Sequence, residues 1–137
     1  MNLTIYTDGG SLNNPGQAAY AFLIYSDDGL LHAQNERIGI ASNNVAEYTA
    51  LIKALEYVSE QIKNKKIKVK SLLVISDSLL MVNQVKGSYK VKSADIKPLH
   101  LKIKLLEMEL QMAVDYKHVL RDKNTEADAL VKEALES

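Results

Sequence analysis

Four carboxylates in this chain stand where chemistry could use them. Asp8 follows the run Ile5-Tyr6-Thr7, Glu47 ends Asn43-Asn44-Val45-Ala46, Asp77 sits between Ser76 and Ser78, and Asp128 closes Asn124-Thr125-Glu126-Ala127. They are far apart in sequence, so only a fold can bring them together. Gathered closely, carboxylates repel one another and some of their pKa values rise, so a cluster makes sense mainly when divalent cations neutralise it. A donor set of oxygens alone favours Mg2+ or Mn2+. The chain has no cysteine, which excludes thiolate nucleophiles, disulfides and cysteine-held zinc or iron–sulfur clusters. Each acid by itself is a common turn or helix-dipole residue, and only the set carries the argument.

The elements that must position these acids follow from periodicity. Asn2 to Thr7 alternates like a strand, and Asp8-Gly9-Gly10 and Asn13-Asn14-Pro15-Gly16 then supply turn chemistry. Gln17 to Tyr25 is a second strand, Ser26-Asp27-Asp28-Gly29 a hairpin turn, and Leu30 to Ile40 a third strand, which predicts an antiparallel start. From Val45 the period becomes helical through Glu47, Leu51, Ala54, Leu55, Val58 and Ile62, with Ser42 or Asn43 as the cap and Glu47 in the first turn. Lys63 to Lys70 reads as a linker, and Leu72-Leu73-Val74-Ile75 within Ser71 to Ser76 as a strand buried on both faces.

Further on, Ser78 to Val85 predicts a short helix ended near Gly87. Pro98 to Val114 predicts a longer one whose Leu101, Leu105, Met108 and Met112 share a face. Asp115 to Leu120 returns to strand character, and Asn124 to Leu135 forms a last helix packed through Ala127, Leu130, Val131 and Ala134. The order β-β-β-α-β-α-α-β-α implies a three-layer α/β fold, a five-stranded mixed sheet whose later strands run parallel to the first. Ligands gather outside the carboxyl ends of parallel strands, where Asp8 and Asp77 would both emerge.

A length of 137 residues, 47% hydrophobic and 25% charged, predicts a single domain over 1–137 rather than disorder. No apolar run approaches the roughly 18 residues of a membrane span and no signal segment is evident, so a cytoplasmic protein is expected. The formal charge is zero, which argues against nonspecific adhesion to polyanions. Its distribution is uneven: from Lys63 to Lys104 eleven lysines face only Asp77 and Asp95, between acidic flanks.

The motifs Ile5-Tyr6-Thr7-Asp8-Gly9-Gly10-Ser11 with Asn14-Pro15-Gly16, Asn43-Asn44-Val45-Ala46-Glu47, Ser76-Asp77-Ser78 and Asn124-Thr125-Glu126-Ala127-Asp128 together resemble the ribonuclease H type 1 family. They fall in family order and span nearly the whole chain. The resemblance implies the ribonuclease H-like fold and an endonuclease that hydrolyses the RNA strand of RNA–DNA hybrids, leaving 5′-phosphate and 3′-hydroxyl ends. It implies two Mg2+ ions, with Mn2+ as a substitute, held by Asp8, Glu47, Asp77 and Asp128. By position, Asn14, Asn43 and Asn44 match residues that touch the hybrid's minor groove, where an amide that donates and accepts suits 2′-hydroxyls.

Two departures from the better-known bacterial pattern stand out. The loop before Asp128 has no histidine, and His118 falls inside the predicted strand. The string from His118 to Asp128 looks like the archaeal-like branch that carries an arginine there, so Arg121 is the candidate phosphate contact. The tryptophan-bearing basic protrusion is also absent, and Lys86, Lys90 and Lys92, with Lys97 and Tyr89 nearby, are the candidate substitute along the DNA strand. A monomer is expected. Competing readings are a metal-dependent nuclease for double-stranded RNA or branched DNA on the same fold, and a catalytically silent nucleic-acid-binding module.

Overall fold

The computed structural model describes residues 1–137. The elements are β1 (Asn2–Ser11), β2 (Gly16–Ser26), β3 (Gly29–Ala41), α1 (Asn43–Lys63), β4 (Ser71–Ser76), α2 (Leu79–Val85), α3 (Lys97–Leu110), β5 (Val114–His118), a 3-10 turn at Arg121–Lys123, and α4 (Thr125–Glu136). They form one sheet in the order β3-β2-β1-β4-β5. β2 runs antiparallel to both β1 and β3, while β4 runs parallel to β1 and β5 parallel to β4. The expected element order and mixed sheet are therefore present. No helix is long and apolar enough to cross a membrane.

Strand alternation sorts the side chains into two layers. Leu3 and Ile5 of β1, with Tyr20, Phe22 and Ile24 of β2, join the main core beneath α1, whose Leu51, Leu55 and Val58 are fully buried. Ala19 and Ala21 on the other face meet Val131 and Ala134 of α4, and these small residues let that helix lie close to the sheet. α1 starts at Asn43 because the Ser42 hydroxyl accepts from the Val45 N–H at 3.1 Å. Glu47 consequently lies in the second turn, not the first as the periodicity from Val45 suggests.

The first strand is longer than its sequence implies. Asp8-Gly9-Gly10 has turn composition, yet pairing with β2 continues from Asp8 opposite Ala21 to Ser11 opposite Ala18. Gly9 is there for close approach: a Cβ on it would lie 2.2 Å from the carbonyl carbon of Ala46. The backbone of α1 thus rests directly on β1, one residue from Asp8 and one from Glu47. Gly9→Ala should therefore push α1 off the strand, costing about 1–3 kcal/mol of overpacking. Thermal denaturation checks this, and a melting temperature equal to the parent's would contradict the contact.

Two other elements differ from expectation. α3 ends at Leu110, where Gln111 takes the left-handed conformation (φ 56°), and it buries Ile103, Leu106 and Leu110. Leu101, Leu105 and Met108 do share a face, but that face is turned to solvent, each more than half exposed, and Met112 lies beyond the helix end. The segment carries two apolar stripes at helical spacing, and packing against the core selects the one containing Ile103. β5 is also shorter and earlier than Asp115 to Leu120; it pairs Val114 with Leu72 through His118 with Ser76, where β4 ends.

Candidate active site

The parallel pairing of β1 with β4 stops at Thr7 opposite Ser76, so Asp8 and Asp77 are the next residues on two adjacent strands. α1 brings Glu47 over the same point through the Gly9 contact. One carboxylate oxygen from each of Asp8, Glu47 and Asp77 lies within 4.8 Å of the others. Asp8 and Glu47 are buried, at 6% and 7% exposure.

This arrangement is electrostatically costly by itself. Burial pushes the Asp8 carboxyl up from its ordinary 3.8 to about 7, with the charges of Asp77 and Asp128 adding to the effect. Burial also raises Glu47 well above its ordinary value, reinforced by Asp8 and Asp77. The backbone amide of Gly9 opposes both shifts only in part. Glu47 Oε1 and Asp77 Oδ2 are buried without a hydrogen-bond partner. Buried polar atoms are nearly always paired, so two orphaned acceptors facing a tight acidic group mark a place where positive charge belongs. An all-oxygen set of this kind fits a hard divalent cation.

Asp128 is beside this group rather than in it. It lies in the first turn of α4, 27% exposed at its side chain, with the Lys132 ammonium 3.0 Å away. Its charge still raises the Asp8 carboxyl. The structure therefore brings three of the four expected acids into one group and sets the fourth at its edge.

Asn124, read from the sequence as the first residue of the last helix, precedes α4 and has a positioning role that its sequence setting does not disclose. It is 2% exposed, and its side chain makes no cap bond to α4. Instead Nδ2 donates to the Thr7 carbonyl at 2.9 Å, while its backbone carbonyl accepts from the Asp128 N–H at 3.1 Å. One residue thus ties the strand position before Asp8 to the helix turn that carries Asp128.

The other candidates are distributed as follows. Asn14 Oδ1 accepts from the Asn43 N–H at 3.0 Å, and Asn43 Oδ1 accepts from the Ser11 N–H and hydroxyl at 2.9 and 3.0 Å. Their carbonyl oxygens fasten the β1–β2 loop to the start of α1, which leaves their exposed NH2 groups free to donate. Asn44 is exposed beside them. The Arg121 guanidinium is 85% exposed, with Nε 4.0 Å from Asp77 Oδ2, a long-range attraction rather than a hydrogen bond. His118 ends β5, half-buried, as its strand position implies. Lys86, Lys90 and Lys92 are exposed on the segment between α2 and α3, and Lys97 is exposed as the first residue of α3. Lys63, Lys102 and Lys104, by contrast, are paired with Glu109, Glu56 and Glu107. α2 begins two residues after Asp77, and Lys86 follows its last residue, beside Val114 and Tyr116 of β5.

Comparison with known proteins agrees with this geometry. The family model for RNase H matches residues 1–136. LC11-RNase H1, solved in complex with an RNA/DNA hybrid, superposes with a TM-score of 0.91 at 40% identity, covering 98% of this chain and 97% of that one. Ribonuclease HI of Halobacterium salinarum is 35% identical over 135 residues, covering 96% of this chain and 63% of the relative. The bifunctional protein Rv2228c of Mycobacterium tuberculosis is 34% identical over 139 residues. The match takes in all of this chain, which spans only 36% of that relative's length. With the family model matched from one end of the chain to the other, the chain belongs to the RNase H family.

Proposed function

We propose that this chain is a ribonuclease H, a monomeric cytoplasmic endonuclease that hydrolyses the RNA strand of RNA–DNA hybrids and leaves 5′-phosphate and 3′-hydroxyl ends. The observation that carries this reading is the buried group of Asp8, Glu47 and Asp77 with its two orphaned oxygens. The hybrid bound by LC11-RNase H1 supports the choice of substrate, because that structure resembles this one over nearly the whole of both chains. A silent binding module would have no need of such a costly acidic group.

Asp8, Glu47 and Asp77, with Asp128 at the edge, would hold two Mg2+ ions, for which Mn2+ could substitute. Such ions, when bound, lower the pKa of the attacking water and stabilise the charge that develops on the departing 3′ oxygen. Every other task falls to the chain. The NH2 groups of Asn14 and Asn43, with the amide of Asn44, donate to 2′-hydroxyls in the minor groove and so select an RNA strand. Arg121 swings a free guanidinium over Asp77 and clamps a phosphate near the cut. The unpaired Lys86, Lys90 and Lys92 follow the phosphates of the DNA strand and set its direction across the acids.

The direct test is cleavage of an end-labelled hybrid with Mg2+, Mn2+ or chelator, beside double-stranded RNA and branched DNA. Hybrid cleavage with either metal and none in chelator is expected; equal cleavage of double-stranded RNA would overturn the substrate assignment.

Two further outcomes divide the roles. Replacing Lys86, Lys90 and Lys92 by Gln should flatten the slope of log affinity against log salt by about one to three units and raise KM with kcat nearly unchanged. Wild-type affinity and slope would show that the hybrid docks elsewhere. Arg121→Ala should lower kcat about tenfold or more in well-folded protein, whereas His118→Ala should leave kcat close to the parent's. The reverse ranking in steady-state kinetics would exchange their roles.

A further inference from the structure

α4 covers only part of its face of the sheet. Beside it lies a cavity of about 410 Å3, floored by Tyr6, Leu23 and Tyr25 and walled by Lys123, Asn124 and Glu126. That size falls within the range of small-molecule sites. Strand alternation places Tyr6 on the same face as Asp8, two residues behind it, so the cavity adjoins the acidic group without including any of it.

Its lining has a consistent chemistry. The Tyr6 and Tyr25 rings meet edge to face, 5.8 Å apart at 84°, on an open stretch of sheet. The Tyr25 hydroxyl donates to Glu126 Oε2 at 2.7 Å, which fixes that ring and leaves the other carboxylate oxygen free to accept. Lys123 is exposed and stands just before α4, a helix that begins without a side-chain cap, so positive charge and open N–H groups coincide at that wall. Asn124 is almost wholly buried, with Nδ2 held by the Thr7 carbonyl and Oδ1 lacking any partner. It is a fixed acceptor in want of a donor. Aromatic surface, a cationic wall and unfilled acceptors together match a planar base, a phosphate, and the N–H and O–H groups of base and ribose.

We propose that this cavity is a nucleotide subsite, with the base against Tyr6 and Tyr25 and the phosphate at Lys123 and the start of α4. The nucleotide is either a free nucleoside monophosphate or an unpaired nucleotide running off the substrate strand. Only the second source rests on the nuclease reading above.

The test is a titration of the whole chain with 5′-AMP in chelator, followed by amide chemical shifts, with adenosine and ribose 5-phosphate in parallel. Shifts are expected at Tyr6, Tyr25 and Lys123 through Glu126, and AMP should bind more tightly than either fragment. Tyr25→Ala and Lys123→Gln, both surface changes whose folding is checked by melting curves, should each weaken AMP about tenfold. The absence of shifts at millimolar AMP, shifts confined to the acidic group, or undiminished affinity in both variants would overturn the proposal. KM is then measured for a blunt hybrid and for one with a short unpaired RNA extension. If Lys123→Gln raises KM for the extended hybrid alone, the nucleotide belongs to the substrate strand; if both hybrids behave alike while AMP still binds, it is a free nucleotide. A chain that cuts no hybrid at all would sink the nuclease reading, yet the AMP titration would still decide the subsite.

Discussion

Asp8→Asn and Asp77→Asn should each reduce cleavage of a labelled hybrid by about a thousandfold or more, in protein that folds at least as well as the parent. The expectation rests on what each substitution leaves unchanged. Asparagine keeps the volume and one oxygen of aspartate, so packing at the ends of β1 and β4 is preserved. The negative charge is lost, and with it the means of holding a hard cation beside Glu47. Asp128→Asn should cost less than either, because Asp128 stands outside the close group and is already paired with Lys132. Single-turnover cleavage gives the ranking, and melting curves verify the fold. Substantial Mg2+-dependent turnover by folded Asp77→Asn protein would remove the acidic group from the chemistry altogether.

The same ranking marks what the sequence discloses and what it does not. β4 is legible because Leu72 to Ile75 is apolar at every position, as a strand covered on both faces must be. Glu47 is legible as an inward-facing acid because the helical period that places Leu51 and Leu55 in the core places it on the same side. The extension of β1 through Gly9 and Gly10 is not legible, since two glycines after an aspartate have the composition of a turn. Only the backbone of α1, arriving from much later in the chain, explains why Gly9 must lack a Cβ. The buried face of α3 is hidden for a related reason: Leu101, Leu105 and Met108 repeat as regularly as Ile103, Leu106 and Leu110, and periodicity cannot choose between two apolar stripes. The tie from Asn124 to Thr7 is likewise tertiary, and the local sequence reads Asn124 only as the first residue of the last helix. Residue identities thus single out the acids that a fold could gather, while the separation of Asp128 from the other three comes from packing.

In chelator, the melting temperature should fall as the pH rises from about 4 to 8, and millimolar Mn2+ or Mg2+ should restore it at the upper end. The sign follows from the acids. In the unfolded chain Asp8 loses its proton near 3.8, whereas in the folded chain burial and its neighbours hold that proton until about 7. Between those values the folded state binds more protons than the unfolded one, so stability declines with rising pH and stays low above the folded value. Glu47 shifts in the same direction and steepens the decline. A cation that binds only the folded chain opposes this, by about 2.7 kcal/mol at a hundred times its dissociation constant, or roughly 5–10 °C for a domain of this size. Asp8→Asn should flatten the dependence on pH, raise the melting temperature in chelator at pH 8, and abolish most of the response to metal. Loss of cleavage and gain of apo stability in one variant is a combination that general misfolding cannot produce, because misfolding lowers both. A melting temperature indifferent to pH, metal and the Asp8→Asn change would mean that the three carboxylates do not share the charged, buried site from which the proposed function is drawn.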